Sequence, residues 1–344
     1  MKRSLKELVR ANILALEPYS TARDEYSGGE IDVWLDANEN PFENGVNRYP
    51  DPHQREMKAL LSEIKGVSSE SIFVGNGSDE AIDLAFRVFC RPGVDNAISI
   101  APTYGMYSVA AATNDVELRE VALGEEFSLP VEALLAAADE CSKLMWICSP
   151  NNPTGAAFAA EQLVELIERF DGIVVLDEAY VDFSADGGML PRLGEFENLI
   201  ILQTLSKAWG MAGLRCGLGF SSAEIIAIMN RVKSPYNINV LTQAKVMELL
   251  RAGVSDQVEE IISQRERVSK ALESMACVEK IYPSDANFLL VRVSDADRLY
   301  DRLTEGGVIV RNRSKVLGCK STLRITIGTK SENDRTLEII KEFK

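Results

Sequence analysis

Histidine is almost missing from this chain: His53 is the single one in 344 residues. A histidine-based catalytic triad or a histidine metal cluster therefore has too few imidazoles to form, and His53 alone is assigned no chemical role. Six cysteines are present, at 90, 141, 148, 216, 277 and 319, but no two stand as CxxC and most lie in apolar runs. That argues against a zinc site or a disulfide frame and for reduced thiols in a cytoplasmic protein. No apolar run reaches the length of a membrane span, and no internal repeat or low-complexity tract is visible. The opening segment, MKRSLKELVRANILALEPYS, interleaves charges with apolar residues at roughly helical spacing, so it reads neither as a signal peptide nor as a membrane anchor. Basic residues are also in deficit: 37 Lys and Arg against 52 Asp and Glu give a net charge of −15. Such a chain is a poor partner for a nucleic-acid backbone. An anionic small molecule would need a local basic pocket set against the global field.

What is present is a chain long enough for one large or two ordinary domains, with an ordinary 46% hydrophobic and 26% charged content. Short apolar runs at 71–74, 97–100, 144–148, 172–176, 199–203 and 214–220 alternate with helical patterns such as 79–90 and 161–170. Several runs are continuously apolar, as strands buried on both faces of a mostly parallel sheet should be. The order predicts an α/β layered fold. After about residue 222 the pattern changes: one long helical stretch over roughly 242–275 precedes short strands near 287–293 and 323–327. The expected division is an N-terminal arm (1–30) packing with the small domain, a large domain (31–240) and a smaller α+β domain (241–344).

Nearly every predicted strand runs into a polar or glycine-rich cluster at its carboxyl end. These are GNGSDE after Val74, PTYG after Ala101, SPNNPTG after Cys148, DEAY after Leu176 and TLSKAWG after Gln203. Ligands of open α/β sheets bind at the carboxyl ends of strands. Ordinary turns explain the glycine and proline, but not the recurrence of Asp, Tyr, Asn and Lys. The run from Thr204 to Arg215 is the most telling. It sets Lys207 beside two hydroxyls with an arginine eight positions on, residue types that can hold a phosphorylated aldehyde, although a lysine read on chemistry alone is more often a solvated surface charge.

Taken together, the marks resemble the fold-type I pyridoxal-phosphate aminotransferases and, more narrowly, their class II branch and its histidinol-phosphate aminotransferase family. They are PYS (18–20), LDANENP (35–41), RYPDP (48–52), GNGSDEAID (75–83), PTYGMY (102–107), SPNNPTG (149–155), VVLDEAYVDF (174–183), TLSKAWGMAGLRCG (204–217), PYNIN (235–239), RNRS (311–314) and LRITIG (323–328). They run in order over almost the whole chain. Departures are small: Trp209 stands where phenylalanine is usual, and Ala11 where proline is frequent.

The resemblance implies pyridoxal 5'-phosphate as cofactor, with Lys207 binding its aldehyde and later carrying a proton. It implies Asp177 at the ring nitrogen, Tyr180 and Asn152 donating to the ring's phenolic oxygen, and Tyr104 stacked on the ring. Ser78 and Asp79 would offer backbone N–H groups to the phosphate from a helix N-terminus, the side chains of Asp79 and Glu80 turning away. Thr204, Ser206 and Arg215 would complete the phosphate site, and Tyr49 would reach it from a neighbouring subunit, which makes the expected partner a second copy in a homodimer. For substrates, Arg324 and Arg311 would grip oxyanions, with Tyr19, Tyr236 and Asn237 lining the same pocket. Arg313 reads as a surface charge. The implied reaction is amino transfer between histidinol phosphate and 2-oxoglutarate, yielding glutamate, in histidine biosynthesis. Alternative readings are an aromatic aminotransferase, a threonine-phosphate decarboxylase on the same scaffold, and a non-catalytic cofactor-binding regulator, which the lack of a basic DNA-binding extension disfavours.

Overall fold

A computed structural model describes residues 3–20 and 31–343. Its centre is a seven-stranded sheet of β1 (Ile72–Asn76), β2 (Asn96–Ala101), β3 (Glu117–Ala122), β4 (Ser142–Cys148), β5 (Ile173–Asp177), β6 (Leu199–Thr204) and β7 (Cys216–Phe220), in the spatial order β1-β7-β6-β5-β4-β2-β3. Only β7 runs against its neighbours. The carboxyl ends of β1, β2, β4, β5 and β6 therefore share one edge. This is the α/β architecture expected from the continuous apolar runs.

Period-two alternation divides the sheet's side chains between two cores. Val74, Ile98, Ile147, Leu176 and Ile201 join one, Phe73, Trp146, Val175 and Leu202 the other. Helices α1 (Leu5–Leu8), α2 (Ala11–Leu14) and α3 (Arg55–Lys65) precede the sheet, and α4 (Ser78–Phe89), α5 (Met106–Thr113), α6 (Val131–Ala136), α7 (Ala160–Arg169) and α8 (Ala223–Val232) are interleaved with or follow its strands. In α4, Ala81, Ile82, Ala85, Phe86 and Phe89 are buried at helical spacing, which seats it on the second core with its N-terminus at the shared strand edge.

The predicted helical stretch over 242–275 is two helices, α9 (Val240–Ala252) and α10 (Ser255–Glu273). Gly253 between them takes φ +75°, a conformation an L side chain rarely adopts. Val246 and Leu250 of α9 sit in the first large core, so its packing does not follow a division at residue 240. A second, antiparallel sheet comprises β8 (Val278–Ile281), β9 (Phe288–Val293), β10 (Arg311–Asn312) and β11 (Thr322–Thr326), in the order β10-β11-β9-β8. One face packs under α10, α11 (Ala296–Glu305) and α12 (Lys330–Glu342) through Val291, Val293, Leu323 and Ile325.

The N-terminal arm does not pack as expected. Its described part lies on the large sheet unit, where Leu8, Val9 and Ile13 join the second core. The Arg10 N–H donates to Val88 O at 3.0 Å, and the Arg3 guanidinium donates to the carbonyls of Asp171, Glu140 and Ser142. Leu8, Val9 and Ile13 share that core with Ile225, Ile226 and Met229 of α8, which supplies the apolar cover that these residues need. Among the described residues no helix is long and apolar enough to cross a membrane.

Glu178 stands on the first-core side of β5, buried, accepting from the Met189 N–H at 2.6 Å and from Gln203 Nε2 at 3.0 Å. Burial pushes its pKa up to about 7 from 4.5. A carboxyl raised in the fold stabilises the protein while neutral, and that contribution is lost as pH climbs from the unfolded value through the folded one. Gln203 Oε1 is buried without a partner among the described residues, and turning the amide over would let it accept from a neutral Glu178. In Glu178→Gln the melting temperature should match the parent below about pH 4.5 and exceed it increasingly toward about pH 8. A constant difference across that range, followed by calorimetry, would remove Glu178 from the pH response.

Candidate active site

Ten of the sequence-predicted residues meet in one crevice at the shared strand edge: Ser78, Asp79, Tyr104, Asn152, Asp177, Tyr180, Thr204, Ser206, Lys207 and Arg215. Most follow the carboxyl end of a strand or open a helix, and Arg215 stands just before the amino end of β7, so the sheet sets their mutual positions.

Asp177 ends β5 and is only 2% exposed. Its Oδ2 accepts from the Tyr107 hydroxyl at 2.6 Å and its Oδ1 from the Ala179 N–H at 3.0 Å. Burial raises its pKa, and these two bonds pull it back down. No lysine or arginine forms an ion pair with it among the described residues. The result is a desolvated carboxylate, held in place, that favours a cationic partner. Tyr107 was missed by sequence reasoning. It is fully buried, stacks on Trp146 at 4.9 Å and meets Tyr104 edge-on at 5.7 Å. In the sequence it looks like one more core aromatic. The available signal was its place three residues after Tyr104, one helical turn on in PTYGMY.

Lys207 lies in the turn after β6, exposed in the crevice yet crowded by its walls. Burial lowers its pKa first, and the charge of Arg324 lowers it further. Its Nζ stands 5.6 Å from the ring centroid of Tyr180. Burial raises the pKa of the Tyr180 phenol, which keeps it a neutral donor. Arg324 enters from the small sheet: its guanidinium lies 5.2 Å from the Phe288 ring and donates to Asn152 Oδ1. That leaves the Asn152 amide N–H groups as its donors to a ligand.

The opposite end of the crevice is built on the N-terminus of α4. Gly77 precedes it at φ +74°, and its N–H donates to Arg215 O at 2.7 Å. Arg215 itself is left-handed at φ 53°. Thr204 Oγ1 accepts from the Ser206 N–H at 3.1 Å, so its hydroxyl hydrogen remains to be given. The side chain of Asp79 corrects one expectation. It does not turn away but reaches into the crevice, accepting from Tyr104 Oη at 3.1 Å and from Arg215 Nη2 at 3.4 Å. Two donors at that end draw the carboxylate inward, and the positive end of α4 favours it there. Glu80 does turn away, to Asn76 N and Asn237 Nδ2.

Four expected residues, Tyr19, Tyr49, Tyr236 and Asn237, do not line this crevice within one chain. Tyr19 is 71% exposed on the arm. Tyr49 stacks on Tyr236 at 4.4 Å, outside the lining. Asn237 uses its amide structurally: Nδ2 donates to Val74 O and Glu80, and Oδ1 accepts from Lys233 and Gln54. Its place in a substrate pocket is thus corrected to a strut between β1, α4 and the segment before α3. Arg311 sits opposite Arg324 across β10 and β11.

One close approach holds the cradle together. A Cβ on Gly217 would stand 2.0 Å from Ser78 N and 2.2 Å from Gly77 C. Gly217→Ala must therefore push the start of α4 off β7. A loss of about 1–3 kcal/mol, typical of an overpacked core, is expected in urea unfolding; an unchanged midpoint would mean that this contact is loose.

The family profile described as "Aminotransferase class I and II" matches residues 22–340. The histidinol-phosphate aminotransferase of Parabacteroides distasonis is 52% identical over 344 residues, covering 99% of each chain. Solved structures share the fold at lower identity. The histidinol-phosphate aminotransferase of Clostridium acetobutylicum has a TM-score of 0.79 at 22% identity, covering 86% of this chain and 90% of that one. That of Sinorhizobium meliloti, in complex with pyridoxal-5'-phosphate, has 0.78 at 23%, covering 86% and 82%. With its crevice, its sheet and its full-length relatives in agreement, this chain belongs to the class I and II aminotransferases, in their histidinol-phosphate aminotransferase branch.

Proposed function

We propose that this protein transfers an amino group between histidinol phosphate and 2-oxoglutarate with pyridoxal 5'-phosphate, as a step of histidine biosynthesis. The observation that carries the reading is the pairing, in one crevice, of Lys207 with Asp177, a buried carboxylate held by Tyr107. The cofactor fits the donor set. Asp177 suits a protonated ring nitrogen, Tyr180 and Asn152 suit a ring oxygen, and the α4 N-terminus with Ser206, Thr204 and Arg215 suits a phosphate. When bound, the cofactor supplies an electron sink for charge developing at the substrate's α carbon.

The chain's own residues do the rest. Lys207 would hold the cofactor through its amine, which must be neutral to react; its lowered pKa serves that need. The same amine would move a proton at the substrate's α carbon. Asp177 keeps the proton on the ring nitrogen, and Tyr107 keeps Asp177 oriented. Tyr104 walls one side of the crevice. Arg324, with Arg311, receives the substrate's phosphate or carboxylate, since a guanidinium fork fits both oxyanions.

The functional unit we infer is a homodimer in the cytoplasm. Val33 (70% exposed), Leu35 (85%) and Phe42 (80%) display an apolar surface on the segment that carries LDANENP, and a second copy would cover it while bringing Tyr49 to the neighbouring crevice.

Two measurements test this function. Purified protein given histidinol phosphate and 2-oxoglutarate should yield glutamate, and Lys207→Ala should lose at least ~10³-fold of that turnover together with borohydride-fixed cofactor mass. Turnover of phenylalanine or tyrosine without histidinol phosphate, or carbon dioxide release from threonine phosphate, would reassign the substrate; an active Lys207→Ala would sink the mechanism. Tyr107→Phe removes a hydrogen bond to a charged group, about 1.5–3 kcal/mol. Titration of the cofactor-free protein should show roughly tenfold or weaker cofactor binding, and equal affinity would show that Asp177 needs no such support.

A further inference from the structure

Arg313 reads in the sequence as a surface charge, but strand alternation places it elsewhere. In β10 and β11, Arg311 faces Arg324 and Asn312 faces Leu323, and the pairing continues with Arg313 N–H to Thr322 O at 2.9 Å. Successive residues of a strand point to opposite faces. Leu323 and Ile325 enter the core under the helices, and Asn312 Nδ2 donates to Asp297 of α11 at 2.6 Å on that same side. Arg311, Arg313 and Arg324 are thereby directed to the other face. That face meets the crevice: Phe288 packs edge-on against Tyr180 at 5.2 Å, and Arg324 bonds Asn152.

Arg313 is half-buried there. Its Nε and the Nε of Arg324 are buried with no partner among the described residues, and so is Oγ of Ser314, one position on. Burial lowers the pKa of Arg313, Arg311 lowers it further, and Cys319 and Tyr180 pull it back. Among the described residues none of the three arginines has a carboxylate partner. With 52 acidic residues in the chain, three converging guanidiniums without one form a site for an anion from outside. A carboxylate is satisfied by a single fork. A phosphate monoester carries up to two charges on three terminal oxygens and can take more than one.

We propose that Arg313 is a third guanidinium for the substrate's phosphate monoester, beside Arg311 and Arg324, and that it sets the preference for the phosphorylated amine over the dicarboxylate that alternates in the same site. This rests on the function proposed above. The test is Arg313→Gln, with Arg313→Lys as the charge-retaining variant, each loaded with cofactor and followed at its absorbance band in single-turnover half-reactions. With Arg313→Gln the apparent dissociation constant for histidinol phosphate should rise at least ~10-fold more than that for glutamate. The maximal rates should change little, Lys should restore part of the loss, and inorganic phosphate should inhibit the glutamate half-reaction at least ~10-fold more weakly than in the parent. Equal losses with both substrates, or no loss, would overturn the proposal. Should the parent fail to react with histidinol phosphate at all, the function itself fails, and the inorganic-phosphate competition still decides whether Arg313 binds a phosphate.

Discussion

A carboxylate taken out of water is the constraint around which this protein is arranged. Asp177 is buried at the end of a central strand, where an unaccompanied negative charge is costly. The fold meets that cost in part. Tyr107 and the Ala179 N–H hold the two oxygens, and Trp146 and Phe86 stack behind Tyr107 so that its hydroxyl has one place to be. Some of the cost is left standing, as the raised pKa shows. A ligand that brings a positive charge to this point recovers it, so the site's affinity is partly prepaid by the folding of the sheet.

Direction of the strands does the remaining positioning. Because β7 alone is reversed, six carboxyl ends share one edge, and the amino end of β7 returns to it. The reversal also lays Gly217 against the first residue of α4. Sheet and helix N-terminus are thus fixed to each other at backbone contact distance. The anion-binding end and the carboxylate end of the crevice belong to one rigid frame, and the small sheet adds its guanidiniums from above.

Much of this was legible in the residues. The strand-end clusters pointed to one crevice, and ten of the residues they singled out line it. What escaped did so for identifiable reasons. Tyr107 has the appearance of a core aromatic, since a buried hydroxyl differs from a buried ring only in its partner, and partners are not written in a sequence. Asp79 was turned outward on a rule about anions at anion sites, whereas Tyr104 and Arg215, distant in sequence, draw it inward. The arm's seat depended on which exposed groove its few apolar residues would match. The split between α9 and α10 was marked by Gly253, but helical periodicity on both sides masked it. Arg313 was recoverable in principle: Arg-Asn-Arg at period two sends both arginines to one face as soon as the segment is known to be a strand.

The bond between Arg324 and Asn152 joins two layers of the crevice. Each residue serves its own layer of the crevice, one on the small sheet and one on the large, and each is also the other's neighbour. An oxyanion arriving at Arg324 must share or displace an amide oxygen that already occupies the guanidinium, so binding there is an exchange and not a simple filling. The groups that face the two ligands are therefore coupled through a single contact. Substitution at either position will be felt at both, and the two recognition functions of this chain cannot drift apart independently over evolutionary time.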